Sequence, residues 1–195
     1  MTDNEKRLVA IPSQTVGPFF HLGLTRGEPR GCLAGADARG ERIRLAIRVV
    51  DGEGAGVPDA MIELWQADAN GKYNHPDDPQ NRLPDPAFLG FGRLATDKNG
   101  FATFETVRPG RVPGIDGAPQ APHINVHIFS RGVLLHVSTR IYFAGDPANE
   151  EDAILRLVPQ GRRQTLIASP DAQEPCTWKI DFHLCGDGET AFFDA

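Results

Sequence analysis

Residues 42–50 read RIRLAIRVV. Ile43, Leu45 and Ile47 alternate with Arg42, Arg44 and Arg48, and Ala46 falls on the arginine side. Side chains of a strand point to opposite faces in turn, so this period of two builds one apolar face and one wet face. DGEGAG (51–56) supplies a turn, and AMIELWQAD (60–68), closed by ANG, reads as the next strand. The same alternation returns near the other end, where Trp178, Ile180, Phe182 and Leu184 interleave with Lys179, Asp181 and His183.

Between these segments, GRLATD, KNG and FATFETV (92–107) predict a hairpin about a tight Asn-Gly turn. HINVHIFS (123–130) is a strand ending in an Arg-Gly turn. VLLHVSTRIYF (133–143) reads as a strand or strand pair, and RQTLIAS (163–169) as another strand. DPANEEDAILRL (146–157) is the one expected helix, with Asp146 or Asn149 as cap, acids in its first turn and Pro159 as its stop. Residues 74–90 are rich in proline and aspartate and cannot pair as a central strand. Residues 1–40, full of Gly and Pro, read as an arm with loops. The expected architecture is one all-β domain, a two-sheet β-sandwich over 41–195, with an N-terminal arm (1–40), a long middle loop and one short helix.

Composition agrees. At 195 residues the chain suits one domain with a sizeable core, and Gly 21 with Pro 16 favours many short strands joined by turns. The net charge of −6, with no basic run, argues against nucleic acid as a partner. MTDNEKRLVA is too charged for a secretory segment, and no apolar run approaches the ~18–20 residues of a membrane span. Cys32, Cys176 and Cys185 are odd in number and widely spaced, as expected of reduced thiols in a cytoplasmic protein.

His123 and His127 resemble half a metal site until their strand geometry is considered. They share a face but lie four residues apart, about 13 Å at ~3.3 Å per residue, too far for one ion. The workable i, i+2 position is Asn125, a neutral amide and a poor ligand for a transition metal. His21, His75, His136 and His183 have no paired spacing, and no GxSxG, HExxH or Gly-rich phosphate loop occurs. The carboxylates of 74–90 read as a solvated loop. From the residues alone the chain is a β-sandwich without an active site of its own.

Several stretches together, SQTVGPFF, IELWQADANGKY, FGRLATDKNGFATFETVRPG, APHINVHIFSRG and TRIYFAGD, resemble the intradiol ring-cleavage dioxygenases over almost the whole chain. The resemblance implies a β-sandwich and a non-haem ferric ion held by two tyrosinates and two histidines. The matching positions are Leu83 and Val112 in place of the tyrosines, and His123 with Asn125 in place of the histidine pair. Gln120 stands where the family carries a catalytic arginine. Neither tyrosine of the chain falls at a ligand position: Tyr73 is expected to pack after a turn, and Tyr142 to be a strand residue in RIYF.

The resemblance therefore implies the alpha subunit of a two-chain family member. In it Fe(III) is held by the partner beta chain, which cleaves protocatechuate with O2 to 3-carboxy-cis,cis-muconate. Thr15, Gly17, Pro18 and Phe19 of the arm, with Arg131, are expected to line the partner's substrate pocket. His123 and Asn125 are expected to hydrogen-bond to each other across the vestigial site. The competing expectation is a non-enzymatic, transthyretin-like β-sandwich binding module, because GAGVPDAMIELW fits that pattern too.

Overall fold

The computed structural model describes residues 11–17, 19–25, 30–114 and 117–194. Its strands are β1 (Arg42–Val50), β2 (Met61–Gln66), β3 (Phe91–Ala95), β4 (Phe101–Val107), β5 (Val112–Pro113), β6 (Pro119–Gln120), β7 (Ile124–Phe129), β8 (Val137–Phe143), β9 (Ile167–Pro170) and β10 (Thr177–His183). Short α-helices are α1 (Phe20–Thr25), α2 (Ala153–Leu157) and α3 (Gln160–Arg163). Among the described residues no helix is long and apolar enough to cross a membrane.

The alternation in β1 holds. Ile43, Leu45, Ile47 and Val49 are buried, while Arg42 and Arg44 face water. In β7 the buried face is Ile124, Val126 and Ile128, leaving Asn125 and His127 on the other. These side chains meet Ile62, Leu64, Phe104, Ile141, Phe143 and Phe182 in one apolar core. Each such aliphatic or aromatic side chain contributes roughly 1.5–3 kcal/mol by leaving water.

The chain is mainly β, but the strands do not form two separate sheets. Eight of them run in one hydrogen-bonded order, β3-β2-β7-β8-β9-β10-β1-β4, folded so that both halves face the common core. The link is β9, which pairs in parallel with β8 (Tyr142↔Ile167, Phe143↔Ala168) and antiparallel with β10 (Trp178↔Pro170, Lys179↔Ser169). The result is a mixed, nearly closed sheet, because β1 and β10 also run parallel.

Several local expectations are corrected: residues 163–166 are helical and the strand begins only at Ile167, and α1 and α3 stand beside the one helix expected. The segments around Asn99-Gly100 do not form a hairpin: β3 pairs with β2, β4 pairs with β1, and the two stand at opposite ends of the strand order. The turn is closed locally by Asp97, whose carboxylate accepts from the backbone N–H groups of Asn99 and Phe101 (both 2.8 Å), and it carries the chain from one half to the other. The single helix over 146–157 is also split. A 3-10 turn covers Pro147–Glu150, capped by Asp146, and α2 begins after Asp152. Asp152 is extended because its buried carboxylate is shared: it accepts from Leu155 N (2.8 Å), Ala121 N (2.8 Å) and the Tyr142 hydroxyl (3.1 Å). Asn149 caps nothing and donates to the Phe143 carbonyl instead.

Candidate functional site

His123 and Asn125 lie at the start of β7, Arg131 with Thr15 and Gly17 lies near its other end, and Leu83 stands exposed on the 74–90 loop. At the start of β7, the turn 68–72 sets the geometry. Asp68 accepts from the backbone of Asn70 (2.8 Å) and Lys72 (3.0 Å). Gly71 is left-handed (φ 78°), and a Cβ there would lie 1.9 Å from the Arg111 carbonyl oxygen, so only glycine fits. The buried Lys72 ammonium then pairs with Asp78 at 3.0 Å, tying the 74–90 loop down. Burial pushes the Asp78 carboxyl up, but the N–H groups of Gln80 and Tyr73 and the Lys72 charge outweigh it, and the net shift is downward.

This turn lays Tyr73 on Trp65, ring centroids 5.8 Å apart and 14° from parallel. The Tyr73 hydroxyl reaches both relict positions: His123 Nε2 at 3.5 Å and Asn125 Nδ2 at 3.3 Å. His123 Nδ1 is 2.8 Å from the Ala121 carbonyl, which only accepts, so Nδ1 carries the proton and Nε2 accepts from the phenol. Asn125 Nδ2 donates to Tyr73 and to the Trp65 carbonyl (3.3 Å). His123 and Asn125 therefore do not bond to each other; Tyr73 stands between them. Burial, assisted by the positive charge of Arg140, lowers the His123 pKa to about 4, and burial raises that of Tyr73. The imidazole is neutral and the phenol protonated at neutral pH. Tyr73 was legible in sequence only as a packing residue after a turn; its polar role needs a contact across 50 positions.

Arg140 is a second residue that sequence reasoning missed. It lies opposite Asn125 in the β7–β8 register, and its guanidinium donates to Gln120 Oε1 at 2.7 Å. An arginine thus reaches this place from β8 rather than from position 120. Beside the cluster opens a cleft of about 350 Å³, lined by Trp65, Tyr73, His75, Val112 and Pro113.

These residues do not fit the ferric ion that the resemblance implies. Leu83 and Val112 carry no donor atom; Leu83 is 91 % exposed on its loop, and Val112 is buried. Asn125 is a neutral amide engaged as a donor. Of the four positions only His123 offers an imidazole nitrogen, and its Nε2 faces the Tyr73 hydroxyl. Among the described residues no three His, Cys, Asp or Glu side chains converge.

The other end of β7 gathers the arm. Thr15 Oγ1 accepts from Gly132 N at 2.8 Å and lies 3.4 Å from the Ser130 carbonyl, spanning the turn that bears Arg131. The Gly17 carbonyl accepts from Phe20 N (3.1 Å) at the start of α1, and the Phe20 ring packs on Phe129 at 5.5 Å. Phe19 is 76 % exposed. Arg131 is half-exposed, 3.4 Å from Asp59. Pro18 lies outside the described residues. The six residues of β7, roughly 20 Å of strand, separate this patch from His123. Among the described residues, Thr15, Gly17 and Phe19 make no hydrogen bond to the His123–Tyr73–Asn125 cluster of their own chain.

A family profile described as "Dioxygenase" matches residues 17–186. The chain is 42 % identical to the protocatechuate 3,4-dioxygenase alpha chain of Pseudomonas putida, over 96 % of this chain and 97 % of that one. It is 34 % identical to the beta chain of protocatechuate 3,4-dioxygenase from Burkholderia cepacia, over 80 % of this chain and 65 % of that one. Among solved structures, the dioxygenase domain of a dioxygenase carbohydrate-binding protein fusion from Streptomyces sp. SirexAA-E superposes with a TM-score of 0.61 at 25 % identity, over 92 % of this chain and 98 % of that one. A full-length likeness to an alpha chain and a weaker one to a beta chain on the same fold lead to one conclusion: the chain belongs to the intradiol dioxygenase family.

Proposed function

We propose that this chain is the iron-free alpha subunit of a protocatechuate 3,4-dioxygenase and completes the active site of an iron-bearing beta chain. The observation that carries the reading is the division of the site along β7. One end keeps the relict ligand positions, without the donors for a metal. The other presents Thr15, Gly17, Phe19 and Arg131 on the surface, about a strand length away, which supports a contribution to another molecule's pocket. Non-haem Fe(III), typical of the family, belongs in this reading to the beta chain and supplies the activation of the catechol. This chain contributes pocket wall and charge. Thr15 anchors the arm to the 130–132 turn, the Gly17–Phe19 segment forms the wall, and the Arg131 guanidinium attracts the substrate carboxylate.

In domain terms, 1–40 is read as the arm toward the partner, with Leu33 and Ala34 rooted in the core of the body, and 41–195 as the dioxygenase-like body. A free-standing transthyretin-like binding module would not account for the full-length match to an alpha chain. The test is reconstitution. This chain and its candidate beta chain, purified separately and mixed, should consume O2 with protocatechuate, while this chain alone consumes none. Full activity of the beta chain without this chain would refute the reading.

A further inference from the structure

Between the arm and the Arg131 turn stands Asp59. It sits in the turn Val57–Ala60, after Pro58, with a left-handed backbone (φ 64°). Glycine is the usual residue at such a place, and only one other described non-glycine residue, Cys176, shares the conformation. The turn is held rigidly: the buried Thr96 hydroxyl donates to the Val57 carbonyl (2.8 Å) and accepts from Ala60 N (3.0 Å). Aspartate tolerates the left-handed region, but glycine fits it at least as well, so the turn does not itself require a carboxylate, and what the side chain touches bears on its role. Its Oδ1 lies 3.6 Å from His21 Nε2 in α1, and its Oδ2 3.4 Å from Arg131 Nη2. One side chain on a fixed turn thus links the arm helix to the turn after β7.

We infer that Asp59 is a positioning residue of the half-site: it docks the arm through His21 and pre-sets the Arg131 guanidinium for an aromatic substrate that bears a carboxylate. The inference rests on the proposed role of Arg131 and the arm. A long arginine at a half-exposed site samples many rotamers, and holding one beforehand lowers the cost of meeting the carboxylate. Losing Asp59 also frees the arm that carries Thr15, Gly17 and Phe19.

The test uses the assembled alpha–beta complex with Arg131→Ala, Asp59→Asn, Asp59→Gly and the Arg131→Ala/Asp59→Asn double variant. Steady-state kinetics on protocatechuate are measured together with inhibition by 4-hydroxybenzoate and its uncharged amide. Asp59→Asn and Asp59→Gly should each raise KM about two- to five-fold with kcat and iron content unchanged. They should weaken the carboxylate inhibitor more than the amide, and the effect of Asp59→Asn should be smaller in the Arg131→Ala background than in wild type, the remainder being its hold on the arm. Asp59→Gly should also unfold no earlier than wild type, because glycine suits the left-handed turn, and this separates positioning from a structural role. If Arg131→Ala raises KM while both Asp59 variants leave it unchanged or lower it, the inference falls and the role of Arg131 stands. If Arg131→Ala itself changes nothing, the role proposed for Arg131 falls, and the inference with it.

Discussion

Tyr73 shows how one side chain settles a relict site. Its hydroxyl donates to His123 and accepts from Asn125, so groups that would otherwise be left without partners near the core are satisfied within the protein. Tyr73→Phe removes both contacts and should cost about 1 kcal/mol in urea unfolding, with the far-UV spectrum unchanged. His123 gives a pH-dependent counterpart. Its folded pKa, about 4, lies below the ~6.5 of an unfolded histidine, so the native state binds the proton less well. Its contribution is complete above about pH 6.5 and is lost as the pH falls toward 4, by about 3 kcal/mol in all. Unfolding curves of wild type and His123→Gln from pH 7 to pH 4 should converge on acidification. Parallel curves would mean that the ring is not held neutral. The missing donors at Leu83, Val112 and Asn125 were legible in sequence, because residue identity alone decides them. The bridging phenol was not, because it depends on a turn that lays residue 73 against residues 123 and 125.

Among the elements, strands with one wet face were easy to read: β1, β7 and β10 show their burial in their alternation. Pairing was harder. The Asn-Gly turn between β3 and β4 has hairpin chemistry, yet the strands it joins find their partners elsewhere in the sheet, a non-local choice that no five-residue signal reveals. The link through β9 is equally hidden, since a four-residue strand pairing in parallel with one neighbour and antiparallel with the other has no sequence pattern of its own. The interrupted helix has a definite cause in Asp152. Its carboxylate caps α2, holds the backbone two residues before His123 and accepts from Tyr142, beneath a small apolar cluster of Leu155, Val158 and Leu166. Asp152→Ala strands the Ala121 N–H, removes the cap and should cost about 2–4 kcal/mol, measured by urea unfolding. A cost below about 1 kcal/mol would show that water replaces the carboxylate without loss.

For the whole molecule, the fold is that of a dioxygenase and the chemistry is divided. The relict cluster is closed by its own hydrogen bonds, with Arg140 supplying positive charge nearby. The surface at the far end of β7 carries Thr15, Phe19 and Arg131 exposed, and in the proposed reading it is a half-site for the beta chain. The most direct measurement is iron content with visible absorbance, first on this chain alone and then on its complex with the candidate beta chain. The account predicts a colourless, iron-free chain and a coloured, iron-containing complex that consumes O2 with protocatechuate. Stoichiometric iron and a tyrosinate-type absorption band in this chain alone would contradict it.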